Sequence, residues 1–249
     1  MATAHRTAFI TGASTGLGYA IACGLAHAGY DLAVADLDVK MFDKLLADPA
    51  LQGRKVMPLK LDLRVESDIT QAFAAAAEDF GDIEVLVNNA GRALLRPAVD
   101  VTWAEWDDVI DINLKGAYFL SRVFAAHCIA RKHAGNIVSL ASTHGLTGLA
   151  GRSVYGISKG GIVQMTRMLA IEWVGDNIRV NAIAPSTVLT ESRQKLLDAK
   201  MRATMLARIP SGKFITPEDV AAAVVFLVSP GAASITGTTL PLDGGLVAN

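Results

Sequence analysis

The fold is decided by one glycine-rich stretch near the start of the chain, Thr11-Gly12-Ala13-Ser14-Thr15-Gly16-Leu17-Gly18. The apolar run Ala8–Ile10 precedes it, and a helical apolar pattern follows it as far as about Ala28. Glycines permit a tight turn and let a pyrophosphate approach the backbone, while the free amides of the following helix carry partial positive charge. A strand, a glycine-rich turn and a helix in this order predict a nucleotide-binding unit.

The same alternation of strand and helix continues to the end of the chain. Six further apolar runs are predicted as strands: Asp31–Ala35, Val56–Leu61, Val85–Val87, Asn136–Leu140, Arg179–Ile183 and Thr239–Leu242. Helical patterns lie between them: Glu66–Phe80, Trp103–Lys132, Ser153–Val174 and one that opens at Pro217. Such alternation predicts βαβ units. We expect an α/β fold, a Rossmann-type doubly wound parallel sheet of about seven strands with helices on both faces, in one domain over residues 1–249.

Composition excludes several classes of protein. Of the 249 residues, 51% are hydrophobic and 19% charged, and the formal net charge of −1 gives no basis for binding nucleic acid or an anionic membrane. The longest apolar stretch, Ala221–Val228, is too short to span a bilayer. The two cysteines, Cys23 and Cys128, lack the spacing of metal ligands and the density of a disulfide scaffold. We expect a cytoplasmic protein without a metal site.

An acidic residue at the end of the second strand bears on the choice of dinucleotide. Asp36 follows Gly18 by eighteen residues, where a carboxylate accepts hydrogen bonds from the adenosine ribose and repels a 2′-phosphate. Neither Ser14 nor Thr15 in the turn is basic, so a 2′-phosphate has no partner there. The pattern favours NAD(H) over NADP(H); the alternative is a solvated aspartate at a strand end.

Two more strand ends carry residues that suit a dinucleotide. Asp62-Leu63 follows the third strand, where the carboxylate can meet the adenine amino group, and Asn88-Asn89-Ala90-Gly91 follows the fourth. Small residues there let the backbone pass close to adenine and ribose, and the amides can tie strands together. Each of these stretches fits turn chemistry as well as ligand contact.

A tyrosine and a lysine share one helix face in Tyr155-Gly156-Ile157-Ser158-Lys159, at positions i and i+4. A nearby ammonium favours the phenolate and lowers the pKa of the phenol, which suits proton transfer in either direction. Ser142 lies thirteen residues upstream, just after the fifth strand, where its hydroxyl can hold a substrate oxygen. The three residues together predict acid–base chemistry at an alcohol or carbonyl.

Over essentially its whole length, the chain resembles a classical short-chain dehydrogenase/reductase. The matching elements, in the family's order, are Thr11-Gly12…Gly16-Leu17-Gly18, Asn88-Asn89-Ala90-Gly91, Asn113, Ser142, Tyr155…Lys159, Asn181…Pro185 and Asp243-Gly244-Gly245. The resemblance implies a catalytic tetrad of Asn113, Ser142, Tyr155 and Lys159, in which Asn113 holds a water for proton relay. It also implies that Lys159 binds the nicotinamide ribose and that the protein is a homo-oligomer, with a tetramer favoured over a dimer.

One departure from the family follows the sixth strand, where Pro185-Ser186 replaces the usual Pro-Gly. Val188 and Thr190 still fit the pattern that holds the nicotinamide carboxamide. The serine raises the question whether a positive φ or the space near the nicotinamide ring is lost. Whether Ser186 touches substrate stays open here.

The segment Thr187–Ile215 after this strand is irregular and amphipathic, which predicts a lid over the site. Its basic residues, with others nearby, either attract an anionic substrate or are solvated: Arg92, Arg96, Arg152, Arg193, Lys195, Lys200, Arg202, Arg208 and Lys213. His144, two residues after Ser142, either contacts a substrate hydroxyl or is a solvated loop residue.

Substrate signals are otherwise few. The stretch Ala170-Ile171-Glu172-Trp173 resembles the sugar-acid and polyol dehydrogenase branch, whereas the general frame equally resembles 3-oxoacyl-carrier-protein reductases, which commonly use NADPH. Asp36 therefore favours a sugar, polyol, sugar acid or other secondary alcohol interconverted with its ketone. A non-enzymatic alternative, an NAD-binding sensor without turnover, has no need of the Ser142, Tyr155 and Lys159 set.

Overall fold

Seven parallel strands form one sheet in the computed structural model, which describes residues 6–195 and 197–248. The strands are β1 (Arg6–Thr11), β2 (Tyr30–Asp36), β3 (Val56–Lys60), β4 (Val85–Asn88), β5 (Gly135–Leu140), β6 (Ile178–Pro185) and β7 (Thr239–Leu242). Their order across the sheet is β3-β2-β1-β4-β5-β6-β7. The predicted doubly wound α/β fold is confirmed. The predicted ends of each strand differ from the observed ends by at most two residues.

Helices cover both faces of the sheet. They are α1 (Gly16–His27), α2 (Asp43–Leu46), α3 (Glu66–Phe80), α4 (Trp103–Ile110), α5 (Ala117–Arg131), α6 (Ser153–Trp173), α7 (Glu191–Gln194), α8 (Ala199–Leu206) and α9 (Pro217–Val228). Successive strand side chains point to opposite faces. Thus Phe9 packs into the core beneath α3, α5 and α6, and Ile10 into the core beneath α1 and α9. No helix of the described ranges is long and apolar enough to cross a membrane.

The prediction of a single long helix over Trp103–Lys132 needs correction. A π-helical turn, Asp111–Gly116, separates α4 from α5. At its end the backbone of Gly116 packs against Leu63, where an added Cβ would lie 2.6 Å from the Leu63 carbonyl oxygen. One extra residue in a turn hardly alters the apolar periodicity, so the sequence pattern could not show it. π-Turns are frequent at functional sites, and this one carries Asn113.

The strand order reverses between β1 and β4, so the chain leaves these neighbouring strands in opposite directions. In open α/β sheets this divergence opens a crevice beyond the carboxyl ends of the strands, where ligands bind. The glycine-rich turn follows β1 and the Asn-Asn-Ala-Gly stretch follows β4, so both border the crevice. Topology therefore brings together residues that are far apart in the sequence.

Candidate active site

A cavity of about 760 Å³ occupies this crevice. Residues at the carboxyl ends of β1 to β6 contribute to its wall. The predicted residues that line it are Gly12, Ser14, Thr15, Gly16, Leu17, Asp36, Asp62, Leu63, Asn89, Ala90, Gly91, Ser142, Tyr155, Lys159, Pro185, Ser186, Val188 and Thr190. Three predicted residues, Gly18, Asn113 and His144, lie behind this lining. The cavity thus joins the predicted dinucleotide end to the predicted catalytic end.

The glycine-rich turn is held by close backbone contacts. Gly12 has a φ of +63°, and Gly18 packs on it so closely that an added Cβ would lie 2.0 Å from the Gly12 carbonyl oxygen. The side-chain amide of Asn89 donates to the carbonyl oxygens of Thr11 and Gly12, both at 2.9 Å. The backbone amides of Asn89 and Ala90 donate to the Thr11 hydroxyl, both at 3.1 Å. The prediction that these amides tie strands together is confirmed, and a cradle without side chains results.

Asp36 lies at the rim of this cradle. Its Oδ2 accepts from the Ser14 hydroxyl at 2.6 Å, and its Oδ1 accepts from the Leu37 amide at 2.9 Å. A carboxylate has about four lone-pair sites. Together with a bond from the Ser14 amide at 3.3 Å, these bonds leave the carboxylate capacity for a ribose hydroxyl.

Asp62 also lines the cavity, but its carboxylate already has a cationic partner. The Arg64 guanidinium binds Asp62 through Nε and Nη2, at 2.9 Å and 2.6 Å, and reaches Asp108 through Nη1. This hydrogen bonding lowers the pKa of Asp62 below its ordinary value. Arg64 is a wall residue that the sequence reasoning did not single out.

Lys159 occupies the deepest part of the catalytic end. Its side chain is 5% exposed, and Nζ donates to the Leu140 carbonyl oxygen at 2.6 Å. Nζ lies 5.8 Å from the centre of the Tyr155 ring. Burial lowers the pKa of Lys159 to about 8. The amine is therefore mostly protonated at pH 7 and close to the pH at which it loses its proton.

The pKa of Tyr155 departs from the sequence-based expectation. Burial raises it, while a hydrogen bond with Ser142 and the charges of Arg152 and Arg193 lower it. The expected lowering was assigned to Lys159. The difference arises because desolvation of the phenolate outweighs the favourable charges, and the lowering influences include two arginines whose role the sequence left open.

Asn113 lies behind the catalytic residues and joins two elements. Its Oδ1 accepts from the Arg92 amide at 2.7 Å, and its Nδ2 donates to the Arg92 carbonyl oxygen at 2.9 Å and to the Ser158 hydroxyl at 3.0 Å. An added Cβ at Gly91 would lie 3.2 Å from Asn113 Oδ1 and 3.5 Å from Lys159 Nζ. The π-turn thus places Asn113 between the loop after β4 and helix α6.

Comparison with known proteins agrees with this geometry. A family model described as enoyl-(acyl carrier protein) reductase matches residues 12–247. The 2-dehydro-3-deoxy-D-gluconate 5-dehydrogenase of Escherichia coli (strain K12) is 36% identical over 244 residues, covering 98% of this chain and 96% of that protein. The 3-oxoacyl-[acyl-carrier-protein] reductase of Thermotoga maritima is 36% identical, covering 97% and 98%.

A solved structure shows the same fold. The crystal structure of a Sinorhizobium meliloti 1021 protein assigned as a short-chain alcohol dehydrogenase superposes with a TM-score of 0.94 at 38% identity, covering 99% of this chain and 98% of that one. The chain belongs to the classical short-chain dehydrogenase/reductase family. The resemblance drawn from the sequence motifs is confirmed, and the protein is an oxidoreductase of that family.

Ser186, where this short-chain dehydrogenase/reductase departs from Pro-Gly, is accommodated without strain. Among non-glycine residues of the described ranges, only Lys132 and Asn177 have a positive φ. The Ser186 amide donates to the Leu242 carbonyl oxygen at 2.9 Å. Its Oγ is buried in the cavity wall and has no hydrogen-bond partner among the described residues.

His144 packs against Tyr155 without lining the cavity. Its ring is perpendicular to that of Tyr155, with 6.1 Å between ring centres, and its amide donates to the Ser142 hydroxyl at 3.2 Å. Burial, followed by the charges of Arg152, Arg208 and Arg193, lowers the pKa of His144. The imidazole is therefore neutral at pH 7.

Besides Arg64, two further features of the site were not predicted from the sequence. The Leu140 carbonyl, which binds Lys159, gave no signal because backbone atoms carry no residue type. Arg193 was singled out only as one of many basic residues in the predicted lid, although it lines the cavity. The segment predicted to be a lid, Thr187–Ile215, contains α7 and α8, and Val188 near its start pairs with Ile215 at its end.

A cluster outside the cavity brings together possible metal ligands. Ligand atoms of Asp82, His127 and His133 lie within 4.8 Å of one another. Arg131 already pairs with the Asp82 carboxylate, and His127 Nε2 accepts from the Ile83 amide at 3.4 Å. These partners occupy two of the three ligands.

Proposed function

We propose that this protein is an NAD(H)-dependent oxidoreductase that interconverts a secondary alcohol and a ketone, with Tyr155 as general acid and base. One observation carries the proposal: Ser142, Tyr155 and Lys159 line the same cavity as the glycine-rich turn and Asp36. A sensor that only bound a dinucleotide would need no proton-transfer group at the far end of its cavity.

The chain's own residues fit the nicotinamide cofactors that this family uses. The cradle of Gly12, Gly16 and Asn89 has no side chain in the path of a pyrophosphate, and the amides at the start of α1 face it. Lys159, Val188 and Thr190 would hold the nicotinamide end. When bound, the nicotinamide supplies the carbon that accepts or gives a hydride.

Tyr155 holds and moves the proton at the substrate oxygen. Ser142 orients that oxygen, because its hydroxyl faces the phenol closely enough to lower the pKa of Tyr155 through a hydrogen bond. In alcohol oxidation the phenolate is the reactive form. Because burial raises the pKa of Tyr155, the rate of oxidation should rise with pH across the neutral range, whereas the rate of reduction should stay level there and fall only as the pH approaches that pKa.

NAD(H) is preferred over NADP(H) because of the charge beside the adenosine ribose. The Asp36 carboxylate is fixed by the Ser14 hydroxyl and the Leu37 amide, so it cannot turn away from a 2′-phosphate without losing both bonds. Of the arginines in the cavity wall, Arg64 is already paired with Asp62 and Arg92 with Asp108, and Arg193 lies at the other end, where its charge acts on Tyr155. A 2′-phosphate would therefore meet a carboxylate without a cation to offset it.

A sugar, polyol or sugar acid is the favoured substrate. The Escherichia coli relative acts on a deoxygluconate, and the polar cavity end formed by Ser142, Tyr155 and Ser186 suits a hydroxylated substrate. The alternative is a 3-oxoacyl-carrier-protein reductase, supported by the equally similar Thermotoga maritima relative. Exposed apolar residues on α6, Ile157, Met168 and Ile171, support the expected homo-oligomer. The preference for a tetramer over a dimer rests on the family resemblance alone.

Replacement of Tyr155 by phenylalanine tests the mechanism. We expect Tyr155→Phe to lower kcat by about 10³-fold because the proton-transfer group is lost, while NADH binding, followed by fluorescence, is retained. Tyr118→Phe, at an exposed tyrosine on α5, is the matched control and should leave kcat unchanged. The substrates to assay with NAD(H) and NADP(H) are polyols, sugar acids, simple secondary alcohols and β-ketoacyl thioesters.

Undiminished turnover by Tyr155→Phe would refute the assigned role. Tight NADH binding without turnover of any substrate in the panel would favour the sensor, and a clear preference for the thioesters with NADPH would favour the carrier-protein reductase.

A further inference from the structure

The basic residues around the mouth of the cavity fall into two groups. Several pair with a carboxylate or are fully solvated: Arg92 pairs with Asp108, Arg96 with Glu105 and Lys195 with Glu191. Arg202 lies over the Phe214 ring on the outer surface of the lid. These are four of the nine basic residues that the sequence places near the site, and each of the four has a partner other than Ser142, Tyr155 or Arg193.

Arg193 and Arg152 are different. Arg193 lines the cavity with Ser142 and Tyr155, and its Nε is buried without a hydrogen-bond partner among the described residues. Arg152 is partly buried at the start of α6, and its Nη1 donates to the Leu94 carbonyl oxygen at 3.3 Å. No ion pair with a carboxylate is found for either arginine within residues 6–195 and 197–248.

The charged side chains that act on this end of the cavity are all arginines. The cations Arg152 and Arg193 both act on Tyr155, and Arg152, Arg208 and Arg193 all act on His144. The two guanidinium groups also act on each other, and burial followed by the charge of Arg152 lowers the pKa of Arg193. Within the described residues, no carboxylate is among the groups that shift the pKa of Tyr155, His144 or Arg193, and the Tyr155 phenol itself raises that of Arg193. A buried donor without an acceptor destabilises the protein, and an anionic ligand that accepts its hydrogen bond would remove this penalty.

We propose that Arg193 binds a carboxylate of the substrate, with Arg152 adding positive charge beside it, so that the enzyme acts on a hydroxy acid and its keto acid. The proposal rests on the proposed oxidoreductase function and names the substrate class for the same site. The planar guanidinium has five N–H donors in a fork that matches a carboxylate. Because Arg193 lines the same cavity as Ser142 and Tyr155, the carboxylate lies at the reacting end of the substrate.

A charge-neutral variant with a matched control tests this assignment. Arg193→Gln removes the cation from the cavity, whereas Lys195→Gln removes an equal charge from the exposed lid surface two residues later. Each variant and the parent enzyme are assayed with gluconate against its uncharged polyol, glucitol, and with a 3-hydroxy acid against its primary amide. We expect Arg193→Gln to lower kcat/KM for the acids by about 30-fold and for the neutral partners by less than threefold. Lys195→Gln should change neither by more than twofold.

A binding measurement keeps the test independent of turnover. NADH affinity of Arg193→Gln, measured by fluorescence, should stay within twofold of the parent. Affinity of the NADH complex for a small carboxylate, measured by calorimetry, should fall by about 30-fold. Arg193→Lys, which keeps the charge but not the fork, should recover part of the loss.

Other outcomes would overturn the assignment and identify which part fails. If the parent enzyme turns over neutral substrates as well as acids, and Arg193→Gln lowers both equally, Arg193 does not recognise a carboxylate although the oxidoreductase function stands. A tenfold loss of NADH affinity would assign Arg193 to the cofactor diphosphate instead. Preference for a sugar phosphate over the acid would exclude a carboxylate as the anion. Absence of turnover and of NADH binding would reject the proposed function itself.

Discussion

The two ends of the cavity differ in the kind of groups that form them. The glycine-rich turn at the dinucleotide end is held by hydrogen bonds within the protein, as in the bonds from the Asn89 side-chain amide to the Thr11 and Gly12 carbonyl oxygens. The substrate end consists of side chains from distant elements, and two of them, Ser186 and Arg193, carry buried polar atoms without a partner among the described residues. The hydrogen bonds of the glycine-rich turn are complete within the protein, whereas the buried polar atoms at the substrate end would find partners only in a bound substrate.

This difference predicts how each end responds to substitution. A change at the dinucleotide end should damage folding and cofactor binding together, because the same contacts serve both. A change at the substrate end should alter recognition with little loss of stability, since partly unsatisfied groups contribute little to the folded state.

The largest expected effect is at Gly18. A Cβ at this position would lie 2.0 Å from the Gly12 carbonyl oxygen and 2.6 Å from the Asn89 amide nitrogen. Because backbone atoms of a turn held by hydrogen bonds cannot move away cheaply, we expect Gly18→Ala to lower the free energy of unfolding by about 3 kcal/mol and to abolish measurable NADH binding. Chemical denaturation and NADH fluorescence would measure the two effects.

The control is Gly175→Ala, since no atom lies within 4 Å of a Cβ added at Gly175 and its φ is not positive. We expect its stability and NADH affinity to match the parent. If Gly18→Ala lost NADH affinity with unchanged stability, the contacts of the turn would serve the ligand alone, and the contrast between the two ends would be wrong.

A smaller effect is expected at Asp36, at the rim of the dinucleotide end. Asp36→Ser removes the carboxylate that faces the adenosine ribose and so removes its hydrogen bonds to the ribose and its repulsion of a 2′-phosphate. We expect the ratio of kcat/KM for NAD to that for NADP to fall by roughly 10- to 100-fold, which corresponds to about 1.5–3 kcal/mol for hydrogen bonds to a charged group. Steady-state kinetics with both cofactors gives this ratio directly.

Asp38→Ser provides the comparison, because Asp38 lies two residues away and accepts a hydrogen bond from the Lys40 amide without lining the cavity. Its ratio should equal that of the parent. A parent enzyme that already used NADP as well as NAD would show that Asp36 does not select the cofactor.

The same contrast explains what the sequence could predict. The strands, their alternation with helices and the place of the glycine-rich turn at the end of β1 followed from local patterns, because the spacing of apolar residues and glycines reflects the local backbone. The π-turn around Asn113 did not follow, since one extra residue in a turn hardly alters that spacing, and the packing of Gly116 on Leu63 joins residues that are distant in the sequence. The orientation of Arg193 did not follow either, because nine basic residues near the site look alike until their partners are seen.

The smallest expected effect sharpens the comparison at Ser186. Its Oγ is buried in the cavity wall without a partner among the described residues, so the folded protein bears the cost of desolvating a hydroxyl. We expect Ser186→Ala to raise the free energy of unfolding by about 1 kcal/mol in the absence of ligands and to weaken substrate or cofactor binding by a few-fold. Thr143→Ser is the control, a buried residue of the adjacent turn whose change keeps its hydroxyl. Loss of stability in Ser186→Ala would show instead that the hydroxyl is satisfied within the protein, and that the substrate end is as complete in itself as the dinucleotide end.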